Sequence, residues 1–103
     1  MTISDVTPTR TRWAPGMRTR TVPVAIYGNR WCGITQIIRR ALDRAGVAYD
    51  YVDLDEHPSV HARLATLAGG RLRTPVVHVD GEWLMEPSLR QVQAALARHG
   101  VWL

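Results

Sequence analysis

The chain has 103 residues, 46% of them hydrophobic and 21% charged, and a single cysteine. That length can bury one core without disulfide or metal staples, and a lone cysteine excludes the internal disulfide framework of small secreted domains. The formal charge of +4 is concentrated at the start: residues 1–20 carry four arginines against one aspartate, residues 21–103 nine arginines against eight acids.

Residues 1–21 mix Thr, Pro, Arg and Gly with no period of 2 or 3.6. They are expected to form a disordered tail, leaving residues 22–103 as the one domain. The four tail arginines could meet phosphates, but one tryptophan among them offers little stacking surface, so nucleic acid is not an expected partner. No apolar run approaches the roughly 18 residues of a membrane helix, and the first twenty residues hold no secretory hydrophobic stretch. A cytoplasmic protein with no membrane partner is expected.

Val22, Val24, Ile26 and Tyr27 lie in a short apolar run that ends at Gly28 and Asn29, which predicts a buried strand and a turn. Ile34, Ile37, Ile38, Ala41, Leu42 and Ala45 then recur at helical spacing, with Arg39, Arg40, Asp43 and Arg44 on the other face. Gly46 stands where a helix-ending glycine belongs. Residues 49–54 read as a second strand running into the acids Asp53, Asp55 and Glu56.

Pro58 opens a second helix with Val60, Leu64 and Leu67 as its apolar face, ended by Gly69 and Gly70. Val76 to Val79 form a third strand, Asp80 and Gly81 a hairpin turn, and Glu82 to Met85 a fourth strand. Pro87 and Ser88 open a last helix, with Ser88 as its cap and Leu89, Val92, Leu96 and His99 facing inward, before Gly100. The order β-α-β-α-β-β-α predicts an α/β domain. Its four-stranded mixed sheet has a parallel first pair joined by a right-handed crossover and an antiparallel final hairpin, flanked by three helices.

Cys32 carries the chemistry. It follows a strand and turn and directly precedes a helix, where unpaired backbone N–H groups and the helix dipole favour a thiolate. An unperturbed cysteine near ~8.5 is only about 3% ionised at pH 7, so each unit by which its pKa falls raises the thiolate fraction up to about tenfold. Arg30 would add a positive neighbour, Gly33 would leave the sulfur open to a substrate, and Trp31 would cover the thiol pocket. Cys32 lies off the face led by Ile34, which argues against an inert buried thiol. His57 and His61 imitate a metal-ligand spacing. His57 precedes the helix proline, however, and no third ligand stands at a fixed spacing, so a surface pair is expected. His78 fits either the core or the site.

The run Tyr27, Gly28, Asn29, Arg30, Trp31, Cys32, Gly33, Ile34, Thr35 after a strand, with Thr74, Pro75, Val76 before another, resembles the glutaredoxins on the thioredoxin fold over about residues 22–100. The resemblance implies a cis Pro75 beside the sulfur and a backbone contact from Thr74 to the cysteinyl part of a bound thiol. It departs from the dithiol members, since Thr35 stands where their second cysteine would be, and Asn29 stands where a basic residue is common. Met85, Glu86, Pro87 and Ser88 are similar to the Asn-Pro-Ser segment of the mycoredoxin branch, which implies a ligand contact for Ser88 as well as its capping role.

The reading that follows is a monothiol thiol–disulfide oxidoreductase. Cys32 would exchange with mixed disulfides between client proteins and a low-molecular-weight thiol, mycothiol or glutathione, with Thr35 hydrogen-bonding the thiolate. No tightly bound cofactor and a monomer are expected. Two alternatives stay open: a dimer holding a [2Fe–2S] cluster through Cys32 and two small thiols, and a binding module that has lost turnover. Arg71 and Arg73, flanking the Thr74–Pro75 loop, are candidate contacts for an anionic ligand, and Trp83 and Trp102 are expected to pack.

Overall fold

The computed structural model describes residues 21–103; apart from Thr21, the tail expected over residues 1–21 lies outside the described residues. Seven elements follow in chain order: β1 (Val24–Gly28), α1 (Gly33–Ala45), β2 (Asp50–Asp53), α2 (Pro58–Leu67), β3 (Val76–Val79), β4 (Glu82–Met85) and α3 (Leu89–Arg98). The strands lie in the order β2-β1-β3-β4. β1 and β2 are parallel, while β1 with β3 and β3 with β4 are antiparallel. This is the α/β architecture of the thioredoxin fold, a mixed four-stranded sheet with three helices.

Strand periodicity decides which side is core. Val24 and Ile26 on β1 and Val77 and Val79 on β3 point to one face, where they meet Ile38 and Leu42 of α1 and Val92, Ala95 and Leu96 of α3. Fully burying a side chain of this size contributes roughly 1.5–3 kcal/mol, so this layer is the main apolar support of the fold. On the opposite face α2 buries only Leu64. Its Leu67, expected inside, is 74% exposed. Together with Val76, Trp83 and Met85, Leu64 and Leu67 line an open apolar cleft of about 370 Å³ beside the edge strand β4. Trp83 and Trp102, expected to pack, are both largely exposed. Trp83 packs edge-on to Tyr27 and tilted against His78.

Local signals fix the ends of the elements. Gly46 adopts φ 72° and ends α1, with its N–H donating to Asp43 O and that of Val47 to Leu42 O at 2.9 Å. Asp80 and Gly81, at φ 46° and 93°, make the tight turn between β3 and β4. Ser88 caps α3 through a reciprocal pair: its Oγ accepts from Gln91 N–H at 3.1 Å, and Gln91 Oε1 accepts from Ser88 N–H at 2.8 Å. His99, expected to face inward, is half-buried at the end of α3, between Glu82 (3.1 Å) and Asp80 (3.5 Å). With Arg98, which also bonds Glu82, it ties α3 to the β3–β4 hairpin.

The inner face of α1 is not the one its isoleucines suggest. Ile34 and Ile37 are 43% and 45% exposed, whereas Thr35, Ile38 and Leu42 are fully buried. The buried stripe is rotated about the helix axis from the isoleucine stripe, so that only Ile38 and Leu42 belong to both. The stripe that wins is the one that begins on Thr35, because Gly28 at the end of β1 leaves room for it. Arg39, expected on the solvated face, lies 3.9 Å over the ring of Tyr51 and donates to the Tyr49 hydroxyl.

Candidate functional site

Four element termini converge at one end of the sheet. β1 runs out at Gly28, and residues 29–31 turn into α1. The pairing of Tyr27 with Val76 puts the start of β3, and so Pro75, beside Gly28. β4 returns to the same end, where Val76 pairs with Met85 and Glu86 N–H donates to Pro75 O at 2.7 Å. The Thr74–Pro75 peptide is cis, with Pro75 buried and Thr74 half-buried.

Cys32 is the N-cap of α1. Its backbone is extended (φ −83°, ψ 116°), its N–H donates to Asn29 O at 3.2 Å, and its carbonyl accepts from Gln36 N–H. The side chain of Asn29 holds this turn closed by accepting from Trp31 N–H at 3.1 Å. The thiol is half-buried, and Gly33 beyond it is so open that an added Cβ would meet nothing within 4 Å. A ligand can therefore approach the sulfur over Gly33.

Burial is the largest single influence on the thiol and pushes its pKa up. The Thr35 hydroxyl and the N–H groups of Thr35 and Ile34 together outweigh it, while the Glu86 carboxylate opposes them. The balance leaves Cys32 below the ordinary thiol range. The neutral thiol makes no capping bond of full geometry, and Thr35 Oγ1 has no partner among the described residues. Those absences and the lowered pKa agree if the donors engage the sulfur once it carries charge. A buried hydroxyl without a partner costs about 1–3 kcal/mol. A donor kept for the thiolate gives that cost a purpose.

Gly28, to which the sequence assigned only a turn signal, is what seats Thr35. A Cβ on Gly28 would stand 2.6 Å from Thr35 Oγ1 and 3.1 Å from its methyl carbon. The glycine is needed for close approach and not for an unusual backbone angle. Its only trace in the sequence is a small residue at the end of a strand of branched ones.

The other candidates fall into two groups. Thr35, Gly33, Thr74 and Pro75 lie at the end that carries Cys32, and Ser88 follows Glu86 and Pro87 into α3. Arg30 does not lend its charge to the thiol: its guanidinium turns to Glu56 at 3.2 Å and Asp53 at 4.0 Å, because that acidic pair at the end of β2 offers a better partner. Trp31, expected over the thiol, is 83% exposed and projects into solvent. Arg73 pairs with Glu86 at 3.7 Å, and Arg71 is exposed. His57 and His61 are both exposed, and His78 is half-buried, its Nε2 accepting from Gly81 N–H.

A [2Fe–2S] cluster takes four thiolates. The chain offers one, and no group of three or more His, Cys, Asp or Glu side chains among the described residues could hold a metal. The donors of a single chain do not make a cluster site. Among the described residues, no helix is long and apolar enough to cross a membrane.

A half-buried thiol at the N-cap position of the first helix, at the end of the sheet that also carries a cis-proline loop, defines a thioredoxin-fold protein built for thiol chemistry. Comparison with known proteins narrows the class. The sequence model of the Glutaredoxin family matches residues 24–84. A Mycobacterium tuberculosis protein assigned by its name to the glutaredoxins is 32% identical over 79 residues, covering 76% of this chain and 94% of its own length. Among solved structures, the glutaredoxin of Archaeoglobus fulgidus superposes with a TM-score of 0.61 at 19% identity, over 85% of this chain and 98% of its own. The glutaredoxin-like NrdH-redoxin of Escherichia coli gives 0.56 at 22%, over 74% and 92%. The chain belongs to the glutaredoxin family, whose general activity is thiol–disulfide exchange.

Proposed function

We propose that the protein is a monothiol oxidoreductase that reduces mixed disulfides between client proteins and a low-molecular-weight thiol, mycothiol or glutathione. The observation that carries this reading is the placement of Cys32 at the N-cap of α1, half-buried and three residues before a buried Thr35 hydroxyl that has no other partner among the described residues. A sulfur so placed is a thiolate at lower pH than a free cysteine, and it is open on the Gly33 side.

Two exchanges complete the cycle. In the first, the Cys32 thiolate attacks the small-thiol sulfur of the mixed disulfide. A new S–S bond forms to Cys32, the old one breaks, and the client leaves as a thiolate that takes a proton from water. In the second, another small thiol, as its thiolate, attacks the outer sulfur of the adduct. The two small thiols depart as their disulfide, having supplied the two electrons, and the Cys32 thiolate is restored. With Thr35 in place of a second cysteine, resolution within the chain is closed, so the second thiol comes from solution. The backbone at Thr74 and the Ser88 end of α3 are the proposed contacts for the small thiol. The protein acts as a monomer in the reducing cytoplasm, with no tightly bound cofactor.

Mass spectrometry of the protein mixed with a glutathionylated or mycothiolated client tests this. The expected product is the mass of one small thiol added at Cys32, cleared by further small thiol at a rate first-order in that thiol. A client left modified, with Cys32 unlabelled, would overturn the reading.

A further inference from the structure

Glu86 takes no part in the exchange steps, yet the fold commits a charge there. The residue directly follows β4, is tied to the site by its N–H on Pro75 O at 2.7 Å, and sits at φ 54°, a left-handed conformation that favours glycine. Its backbone bond to Pro75 and its side-chain pairing with Arg73 both set Glu86 at the Thr74–Pro75 loop, and a carboxylate there disfavours negative charge on the Cys32 sulfur. Arg30, two residues before Cys32 in the sequence, is turned away to Asp53 and Glu56. Arg73 does pair with Glu86, but at 3.7 Å and with both side chains more than half exposed, so water screens the pair and leaves part of the charge uncancelled.

We propose that Glu86 makes the site select by charge, exchanging faster with disulfides that are uncharged or cationic beside the sulfur than with those bearing a carboxylate there. This rests on Cys32 being the exchanging thiol. In the attack, one S–S bond forms as another breaks, and a single negative charge spreads over three sulfurs, with the departing thiolate taking its proton from water. The total charge of the sulfurs is unchanged, so discrimination comes from the substrate's own groups passing Glu86. Two unit charges about 7 Å apart in water change a rate or equilibrium by about threefold, and by more where protein displaces solvent.

The test measures second-order rates of the Cys32 thiolate with three probes: cystamine (cationic), 2-hydroxyethyl disulfide (uncharged) and 3,3′-dithiodipropionate (anionic). Each rate is divided by that of 2-mercaptoethanol with the same probe, in about 10 mM salt, where screening extends over roughly 30 Å. Because the probes are compared at one pH on one protein, changes in thiolate fraction cancel. The expected cationic-to-anionic ratio is about three- to tenfold above the reference. Glu86→Gln, which keeps the side-chain shape, should bring it down toward one; Arg73→Gln should raise it; and 0.5 M salt should collapse it. A ratio that Glu86→Gln leaves unchanged, or that Arg73→Gln lowers, overturns the assignment to Glu86 while leaving the exchange chemistry of Cys32 standing. Failure of all three probes to react overturns both.

Discussion

Replacing Cys32 by serine is expected to abolish thiol–disulfide exchange, reducing the rate with any mixed disulfide to that of the uncatalysed reaction. No other sulfur nucleophile exists in the chain apart from the thioethers of three methionines, which do not exchange. The loss will not reflect unfolding. Position 32 is the N-cap of α1 and lacks a capping side-chain bond, and serine is among the preferred residues there, favoured by about 0.5–2 kcal/mol over residues that cannot cap. Thermal unfolding of Cys32→Ser should therefore occur at or above the wild-type temperature while activity is gone. Residual exchange in this variant would mean that the chemistry lies elsewhere.

Gly28→Ala should produce the second largest effect, and on two observables at once. The new methyl group would come within 2.6 Å of Thr35 Oγ1, closer than packed atoms stand. Thr35 is fully buried and cannot swing into solvent to make room. Overpacking of this kind costs about 1–3 kcal/mol, read as a lower midpoint in chemical denaturation. The displaced hydroxyl also stops supporting the thiolate, so the pH midpoint of Cys32 reactivity should move up. Thr35→Val separates the two consequences. It keeps the shape and removes a buried hydroxyl that had no partner, so stability should hold or rise. The reactivity midpoint should still move up, because the donor is gone. Midpoints unchanged in both variants would remove Thr35 from the site.

Which parts of this were legible in the sequence follows from how local each signal is. The seven elements announce themselves through alternation, helical spacing and turn residues, and their bounds shift by only a residue or two. Val22 and Pro23 fall outside β1 because the ladder opens with Val24 against Val79, although Pro23 O still accepts from Asp80 N–H. Cys32 is legible because its neighbours in sequence are also its neighbours in the site. Thr35 stood out only through the family resemblance, and its burial beneath Gly28 depends on how α1 rotates against β1. Sequence proximity alone sets Arg30 beside the thiol, but Glu56, 26 residues away, holds it. Glu86 is hidden for the same reason, since only closure of the β3–β4 hairpin brings it to Pro75. Charges act through space, so their partners are the part of a site that sequence order conceals.

That this fold holds its one thiol as a thiolate is read out by the rate of Cys32 alkylation by iodoacetamide as a function of pH. The expected profile is a single titration whose midpoint lies below the ~8.5 of a free cysteine, with a plateau reached correspondingly earlier. A midpoint at or above the free-cysteine value would contradict it.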